Sequence, residues 1–353
     1  MSAGGPGPAR LPLPQGFPTE VFLGEPLAAG LLPPGPWTLI GDERVRDHWT
    51  GRHLPEPPGT LWVPTRERTK RLDTLVPWLE AWASLPLHRE ATIVAVGGGV
   101  LTDMAGLAAS LFLRGVAWHC WPTTLLAQVD AGLGGKTAVN LAAGKNLAGV
   151  FHPPARMVVC TDFLSTLPAR QRDAGAWELF KHALIEGDLP WAERLLACPA
   201  PGLEDLERSL LQKGAVVHLD PQERGERKLL NLGHTLGHAL ESASRFELLH
   251  GEAVGLGTLA ACLLAEAEGL PAQSGEFLQR LADRLRPLAG LIPAWEDCLP
   301  ALARDKKALS GPGGTGESAI HCVLPVRGRR AVLRLLPPDA WAGAHARMVA
   351  LLR

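Results

Sequence analysis

The sequence contains no tyrosine, so a phenol cannot serve as acid, base or nucleophile in any reaction of this chain. Its formal net charge is only −1, which argues against nucleic acid or an anionic membrane as the main partner, because both attract a broad basic surface. No apolar run approaches the roughly 18 residues of a membrane span, and the first residues lack the apolar segment of a signal peptide. We therefore expect neither nucleic acid nor a membrane as a partner, and any cationic binding surface must be local.

The cysteines are few and scattered, and no two of them form a CxxC pair that could hold zinc or act as a redox motif. In a chain of 353 residues this spacing is typical of reduced, mostly buried thiols, and it predicts a cytoplasmic protein. The six cysteines are Cys120, Cys160, Cys198, Cys262, Cys298 and Cys322.

The length of the chain allows two domains, because one hydrophobic core usually stops growing near roughly 250–300 residues. In the first half, short apolar runs alternate with helical patterns, which favours βαβ units and a largely parallel sheet. The runs are Trp37–Ile40, Thr60–Val63, Thr92–Val96, Val116–Trp121 and Met157–Cys160. After Asp162 the pattern is almost entirely helical. We predict a Gly- and Pro-rich flexible lead-in over residues 1–18, an α/β domain over 19–165 and a helical domain over 166–353.

The segment 91–106, ATIVAVGGGVLTDMAG, combines a β-branched strand with three glycines and then a helix that carries Asp103 in its first turn. Glycine permits close approach of the backbone to a ligand, and a helix N-terminus offers free N–H groups to phosphate. The segment is not a GxGxxG fingerprint, because Thr102 stands where the third glycine would be. A tight strand–helix turn, with Asp103 satisfying backbone N–H groups, is the alternative interpretation.

The segment 122–146, PTTLLAQVDAGLGGKTAVNLAAGKN, places lysines, amides and hydroxyl groups between small and apolar residues. Lys136 and Lys145 each follow a glycine, a pattern that is poor for a helix but suited to holding an anion. A solvated loop would also be rich in Lys and Gly, but it would not normally contain so many apolar residues. The pattern therefore favours an anion-binding segment.

At 3.6 residues per turn, the segment 223–245, ERGERKLLNLGHTLGHALESASR, predicts one helix with a leucine-rich face and an opposite polar face. The polar face carries Arg227, Asn231, His234, His238, Glu241 and Arg245. Periodicity alone also allows a solvated surface, but such surfaces prefer Lys and Glu to histidine. Histidines four residues apart can chelate a divalent ion, and catalytic zinc takes three protein ligands. The spacing proposes His234, His238 and His250, with Glu178 as a further candidate.

Six motifs that occur in one order carry a specific resemblance, over roughly Pro64 to Lys307. They are GGGVLTDMAG, PTTLLAQVDAGLGGKTAVNLAAGKN, DFLSTLP, ELFKHALI, LLNLGHTLGHALE and LLHGEAV. Together they resemble the 3-dehydroquinate synthase family, sugar-phosphate cyclases of the shikimate pathway to aromatic amino acids. The resemblance implies an α/β N-terminal nucleotide-binding domain with a mostly parallel sheet, followed by an all-α metal-binding C-terminal domain. It also implies NAD, one zinc or cobalt ion, a sugar-phosphate substrate and a homodimer.

The resemblance assigns roles to residues by position. Near NAD it places Asp42, Glu67, Lys70, Gly99, Asp103, Thr123, Thr124, Lys136, Lys145, Phe163, Leu164, Ser165 and Thr166. It makes Glu178, His234 and His250 the metal ligands, which replaces the spacing-based set and turns His238 toward the substrate or toward support of the ligands. Along the substrate it places Asp130, Lys136, Asn146, Lys181, Lys213, Arg227, Asn231 and His238. At the substrate phosphate it places Arg114 and either Lys306 or Lys307.

The implied reaction converts 3-deoxy-D-arabino-heptulosonate 7-phosphate into 3-dehydroquinate and phosphate, by NAD-dependent oxidation, phosphate elimination, reduction and an intramolecular aldol closure. Other sugar-phosphate cyclases, which make aminocyclitol or valiolone-type rings, are the nearest alternatives. A metal- and NAD-dependent polyol dehydrogenase is a further one, but its uncharged substrates have little use for so many cationic side chains. A NAD-binding scaffold with a decayed site is disfavoured, because every metal ligand and cationic group is present.

Overall fold

The computed structural model describes residues 8–25, 29–198, 200–307 and 319–353, with the side chains of residues 304–307 outside that description. The chain forms two compact units. The sheet unit comprises residues 1–172 and 202–222, and the helical unit comprises residues 173–201 and 223–353. The domain boundary between residues 165 and 166 stays a prediction, and the units add a feature that it did not include, the return of residues 202–222 to the sheet unit.

Seven strands of the sheet unit form one sheet, and two more form a separate hairpin. In chain order the nine strands are β1 (Ala9–Arg10), β2 (Glu20–Gly24), β3 (Trp37–Asp42), β4 (Leu61–Val63), β5 (Thr92–Gly97), β6 (Ala117–Pro122), β7 (Lys136–Leu141), β8 (Gly144–Phe151) and β9 (Arg156–Cys160). The sheet has the order β1-β2-β9-β6-β5-β3-β4, and every neighbouring pair except β1 and β2 is parallel. The hairpin pairs β7 with β8. The mostly parallel sheet predicted from the sequence is confirmed.

The apolar runs of the sequence locate the central strands well. All six residues of β5 are buried, as expected for a parallel strand that is covered on both faces. The five predicted strands are all present, with ends within two residues of those predicted. Strands β1 and β2 were not predicted, and β1 lies inside the proposed flexible lead-in, where it pairs with β2. Residues 1–7 of that lead-in lie outside the described residues.

Helices cover the sheet and build the second unit. The helices of the sheet unit are α1 (Arg46–Gly51), α2 (Leu72–Ala83), α3 (Gly99–Leu111) and α6 (Leu203–Leu219). The helices that lie wholly or mainly in the helical unit are α4 (Ala169–Glu186), α5 (Leu189–Ala197), α7 (His234–Ala243), α8 (His250–Ala267), α9 (Gly275–Leu285), α10 (Trp295–Lys307) and α11 (Ala340–Leu352). No helix in the described part of the chain is long and apolar enough to cross a membrane.

The helical unit also contains one antiparallel hairpin, β10 (Ile320–Val326) and β11 (Arg329–Leu336). The predicted helical second half is confirmed, and this hairpin is an addition to it. Gly328, at φ 64°, supplies the left-handed turn between the two strands. The hairpin follows a Gly-rich segment and carries several arginines, so its strand pattern is weak in the sequence.

The single helix predicted over residues 223–245 is wrong. A short 3₁₀-helix covers Glu226–Asn231, the chain turns at Gly233, and α7 begins at His234. Gly233 is left-handed at φ 77°, and a Cβ there would lie 2.6 Å from the carbonyl oxygen of Val254 in α8. The break therefore lets α7 pack closely against α8, which a continuous helix with a side chain at position 233 could not do.

Candidate functional site

A buried carboxylate and two histidines converge in the helical unit. Glu178 of α4 is 0% exposed, and its Oε1 lies 3.8 Å from Nε2 of His234 and 3.6 Å from Nε2 of His250. Donors bound at about 2.0–2.2 Å to one tetrahedral ion lie about 3.3–3.6 Å apart. The two distances from Glu178 are at or slightly above this range, so the three side chains are close enough to share one divalent metal ion.

The Glu178 carboxylate also has the electrostatic properties of a metal ligand. Both of its oxygens are buried and accept no hydrogen bond, although Lys181, itself 1% exposed, forms an ion pair with Oε2. A carboxylate buried in this way carries a large desolvation cost, which a bound cation would offset. The residues present therefore fit the metal that the sequence resemblance implies.

His238 gives a second possible ligand set. Nitrogen atoms of His234, His238 and His250 all lie within 4.8 Å of one another, so the set proposed from spacing is also geometrically possible. We favour the set with Glu178, because both oxygens of its buried carboxylate lack a hydrogen bond from the described residues, whereas His238 is exposed. The stacked rings of His238 and His250, 5.7 Å apart, keep His238 beside this set.

Glycines allow the three ligand-bearing helices to touch. A Cβ on Gly251, next to His250, would overlap the carbonyl oxygen of Ala174, one turn before Glu178 in α4. A Cβ on Gly257 of α8 would overlap the carbonyl oxygen of Gly233, beside His234. The convergence of the ligands therefore depends on backbone contacts that only glycine permits.

The other predicted residues of the helical unit lie on different elements. Lys181 is buried on α4, Arg227 is buried in the 3₁₀-helix, and Asn231 ends that helix. The Asn231 amide donates a 2.7 Å hydrogen bond to Glu223, a residue that the sequence analysis did not select. Lys306 and Lys307 end α10, and their side chains lie outside the described residues.

In the sheet unit, the residues assigned to NAD lie at or after the carboxyl ends of parallel strands, except Lys136 and Lys145, which lie on the antiparallel hairpin. Asp42 ends β3, Glu67 and Lys70 follow β4, Gly99 and Asp103 follow β5, Thr123 and Thr124 follow β6, and Phe163, Leu164, Ser165 and Thr166 follow β9. These five strands are neighbours in the order β9-β6-β5-β3-β4, and the chain order reverses between β3 and β5. Such a switch point at the carboxyl edge is where open α/β sheets bind nucleotides.

A glycine turn joins β5 to α3, as predicted, but the predicted position of Asp103 in the first turn of the helix is wrong. Gly98 precedes α3, which begins at Gly99, so Asp103 lies in the second turn and not in the first. It therefore cannot cap the helix start, and it points instead to Lys70, whose Nζ lies 2.5 Å from both the Asp103 and the Asn146 side-chain oxygens. Burial raises the pKa of the Asp103 carboxyl, and the Lys70 ammonium opposes that rise.

Asp42 is held in its ionised form by neighbouring donors. Burial alone would raise its pKa, but hydrogen bonds from Arg44 and Thr65 outweigh burial and leave the pKa below the ordinary value. Arg44 contributes its backbone N–H at 3.0 Å, Nε at 2.9 Å and Nη2 at 2.5 Å, and the Thr65 hydroxyl adds a fourth donor. Arg44 and Thr65 were not selected from the sequence, because neither belongs to a recognisable motif.

The hairpin and α6 bring further predicted residues to the sheet unit. Lys213 of α6, which is buried, donates to the backbone oxygen of Asp130 at 2.6 Å and pairs with its carboxylate. Lys145 lies 3.6 Å from Glu67. Lys136 begins β7 and is exposed. Arg114 is also exposed, and it is left-handed at φ 65°.

Comparison with known proteins identifies the family. The model for the N-terminal part of 3-dehydroquinate synthase matches residues 60–174, and the model for its C-terminal part matches residues 175–308. A 3-dehydroquinate synthase of Symbiobacterium thermophilum is 41% identical over 292 residues, 79% of each chain. A protein of Amycolatopsis mediterranei with the provisional name aminodehydroquinate synthase is 44% identical over 251 residues, 69% of each chain.

Solved structures of related cyclases are similar over nearly the whole chain. A 2-deoxy-scyllo-inosose synthase, solved with carbaglucose-6-phosphate, NAD+ and Co2+, has a TM-score of 0.81 at 27% identity, covering 96% of this chain and 99% of its own. The 2-epi-5-epi-valiolone synthase ValA of Streptomyces hygroscopicus was solved with NAD+ and Zn2+. It has a TM-score of 0.78 at 28% identity, and the match covers 94% of this chain and 96% of ValA. With both family models matched in order, the chain belongs to the 3-dehydroquinate synthase family.

Proposed function

We propose that this chain is a 3-dehydroquinate synthase, which converts 3-deoxy-D-arabino-heptulosonate 7-phosphate into 3-dehydroquinate and phosphate. The observation that carries the proposal is the buried Glu178 carboxylate, 3.6–3.8 Å from the imidazole nitrogens of His250 and His234, on a chain of this family. The three side chains supply one carboxylate and two imidazoles, a ligand set suited to zinc or cobalt.

NAD and one divalent ion are the cofactors of the proposal. Glu178, His234 and His250 would hold the ion, and the turns at the carboxyl edge of the sheet would hold NAD. When bound, the ion supplies Lewis-acid stabilisation of a substrate oxygen and NAD supplies a reversible hydride acceptor. Support comes from the two solved structures of relatives, which contain NAD+ with Co2+ or Zn2+.

The chain's own cationic side chains fit a substrate that carries a carboxylate and a phosphate. Lys181, Lys213 and Arg227 are all buried, at 1%, 5% and 2% exposure, and Lys181 pairs with Glu178 while Lys213 pairs with Asp130. Arg227 can bind an oxyanion through two parallel N–H groups. His238 remains exposed beside the metal ligands, and its imidazole can move a proton at the hydroxyl that is oxidised.

The remaining assigned residues take polar roles in the proposal. Asp130, paired with Lys213, and Asn231, held by Glu223, would orient substrate hydroxyl groups. Lys136, Asn146 and Arg114 would contact the substrate and its phosphate.

The proposal is tested by incubating the purified chain with the heptulosonate phosphate, NAD and zinc or cobalt. One phosphate released per substrate, formation of dehydroquinate and no net NADH are the expected result. Net NADH without phosphate release would point to a polyol dehydrogenase instead. Turnover of the aminated substrate analogue in preference to the heptulosonate phosphate would place the chain with the Amycolatopsis relative.

A homodimer also belongs to the proposal. The hairpin β7–β8 exposes four large apolar side chains, Leu141, Leu147, Val150 and Phe151, between 44% and 59% exposed. Large exposed apolar side chains grouped on one hairpin are typical of a protein interface. We expect light scattering to give twice the 37.7 kDa chain mass, and Phe151→Lys to shift the protein toward the monomer.

We also propose that the protein is located in the cytoplasm. Each of the six cysteines is a free thiol, and all but Cys198 are buried. Unpaired thiols in this number are typical of a reducing compartment. Full alkylation of the denatured protein taken directly from cells, without a reductant, is the expected result.

A further inference from the structure

The two histidines of the candidate metal site use their second ring nitrogen in different ways. Nδ1 of His234 lies 3.1 Å from the backbone carbonyl oxygen of Leu232. Nδ1 of His250 lies 3.2 Å from Oε2 of Glu241, a side chain of α7 that is only 7% exposed. A carbonyl or an ionised carboxylate can only accept a hydrogen bond, so both Nδ1 atoms must carry the proton and both Nε2 atoms keep a free lone pair.

The place of Glu241 in the fold is electrostatically unfavourable for a negative charge. It lies in the last turn of α7, where the helix dipole disfavours a negative charge, and it is buried, which adds a desolvation cost. Glu252 of α8 offers a contrast, because its carboxylate accepts the Leu249 N–H at 2.8 Å at a helix start, where the dipole favours it. Capping explains Glu252 and does not explain Glu241.

The geometry points to Glu241 as a positioning residue for the metal ligand His250, an inference that rests on the metal site of the proposed function. The carboxylate fixes the tautomer and the ring orientation of His250, so that its Nε2 faces Glu178 at 3.6 Å. It also makes the imidazole a stronger electron donor to the ion than a carbonyl acceptor would. At His234 the acceptor beside Nδ1 is the backbone carbonyl of Leu232.

This difference makes a mutational test possible. Loss of the acceptor of a ligating histidine typically lowers metal affinity about 10–100-fold. We expect Glu241→Ala to lower the affinity for zinc and for cobalt within that range, and Glu241→Gln to lower it less, because the amide oxygen still accepts from Nδ1 but carries no charge. The cobalt-loaded Glu241→Ala protein should also show shifted d–d absorption bands, because one ligand has lost its fixed orientation.

The experiment measures metal affinity by competition with a chromophoric chelator, and it includes Glu178→Ala and Glu276→Ala. Glu276 is exposed on α9 of the same unit, and its variant should bind metal as the unmodified chain does. Normal metal affinity and unshifted cobalt bands in Glu241→Ala would overturn the inference. Normal affinity in Glu178→Ala as well would overturn the ligand set with Glu178 on which the inference rests, so the two failures are distinguishable. The unfolding temperature of metal-free Glu241→Ala should equal that of the metal-free unmodified chain, and a large drop would assign Glu241 to folding instead.

Discussion

In the helical unit the candidate ligands project from helices that touch through glycines, whereas in the sheet unit the candidate nucleotide residues lie in turns at the ends of strands. The buried Glu178 carboxylate accepts no hydrogen bond from the protein. The buried Asp42 carboxylate, in contrast, has four protein donors around it. Glu178 is thus paired with Lys181 but accepts no hydrogen bond from the described residues, which leaves its oxygens open to an ion, whereas hydrogen bonds within the protein satisfy Asp42.

This contrast predicts that the two units respond differently to similar substitutions. In the helical unit, a change at one ligand or at one helix contact should abolish metal binding, because three donors must meet at one point. In the sheet unit, a change in one turn should weaken cofactor binding by a smaller factor, because many turns share the cofactor.

The largest effect is expected for Glu178→Gln. The amide has nearly the same shape but no charge, so the chain should lose its bound metal and at least about a thousandfold of its phosphate-releasing activity. Metal analysis together with a phosphate assay measures both. Glu186→Gln, at the exposed end of the same helix, is the matched control and should leave both unchanged. Stoichiometric metal in Glu178→Gln would favour the ligand set of His234, His238 and His250.

The second largest effect is expected for Gly257→Ala, which changes the contact between α7 and α8. In Gly257→Ala the new methyl group would overlap the carbonyl oxygen of Gly233, so the two helices must separate. We expect a loss of about 1–3 kcal/mol in the free energy of unfolding and a metal affinity at least about tenfold weaker. Gly275→Ala is the control, because a Cβ there meets nothing within 4 Å. Unchanged metal affinity in Gly257→Ala would show that this contact does not set the ligand geometry.

The sequence predicts the strands of the sheet unit better than it predicts the break before α7. The buried strands β3, β5, β6 and β9 follow from apolar runs, because a parallel strand covered on both faces must be continuously hydrophobic. The break before His234 was missed, because the periodicity of leucine and histidine continues through Gly233 even though the helix does not. Nothing local in the sequence reveals that α8 packs against this point.

At the candidate site, too, the sequence does not reveal contacts between distant segments. Spacing proposed His234, His238 and His250 and gave Glu178 only as a further candidate, because the contacts between α4 and α8 that bring Glu178 to His250 are distant in sequence. Resemblance supplied the set with Glu178, and the distances fit it. Glu241 was placed on the polar face without a role, because its partner His250 lies on another helix.

A smaller effect is expected in the sheet unit for Lys70→Met. Removing the ammonium leaves the Asp103 carboxyl without its cation, and burial then favours the protonated form more strongly. We expect NAD to bind about tenfold more weakly, a change of about 1.4 kcal/mol, with metal content unchanged. Calorimetric titration measures the first and metal analysis the second. Arg68→Met, two residues away and exposed, is the control. Loss of metal together with NAD affinity would contradict the prediction that this substitution changes cofactor binding alone.

The smallest effect concerns the stability of the sheet unit and its dependence on pH. The pKa of Asp42 is lowered in the folded chain, so its ionised carboxylate stabilises the fold above the unfolded value near pH 3.8, and that contribution is lost as the pH falls through the lower folded value. Because Arg44 is 60% exposed, its pairing with Asp42 is worth only about 0.5–1 kcal/mol.

Arg44→Ala should therefore lower the urea midpoint at pH 7, and the difference from the unmodified chain should shrink as the pH falls below about 3.8. Tryptophan fluorescence follows the transition. Arg71→Ala is the matched control, because Arg71 pairs at the same spacing with Asp73, whose side chain is 69% exposed. An exposed pair contributes little, so that variant should change neither the midpoint nor its pH dependence. Equal shifts in the two variants would show that burial of Asp42 adds nothing, and that the sheet unit does not stabilise this charge in the way its hydrogen bonds indicate.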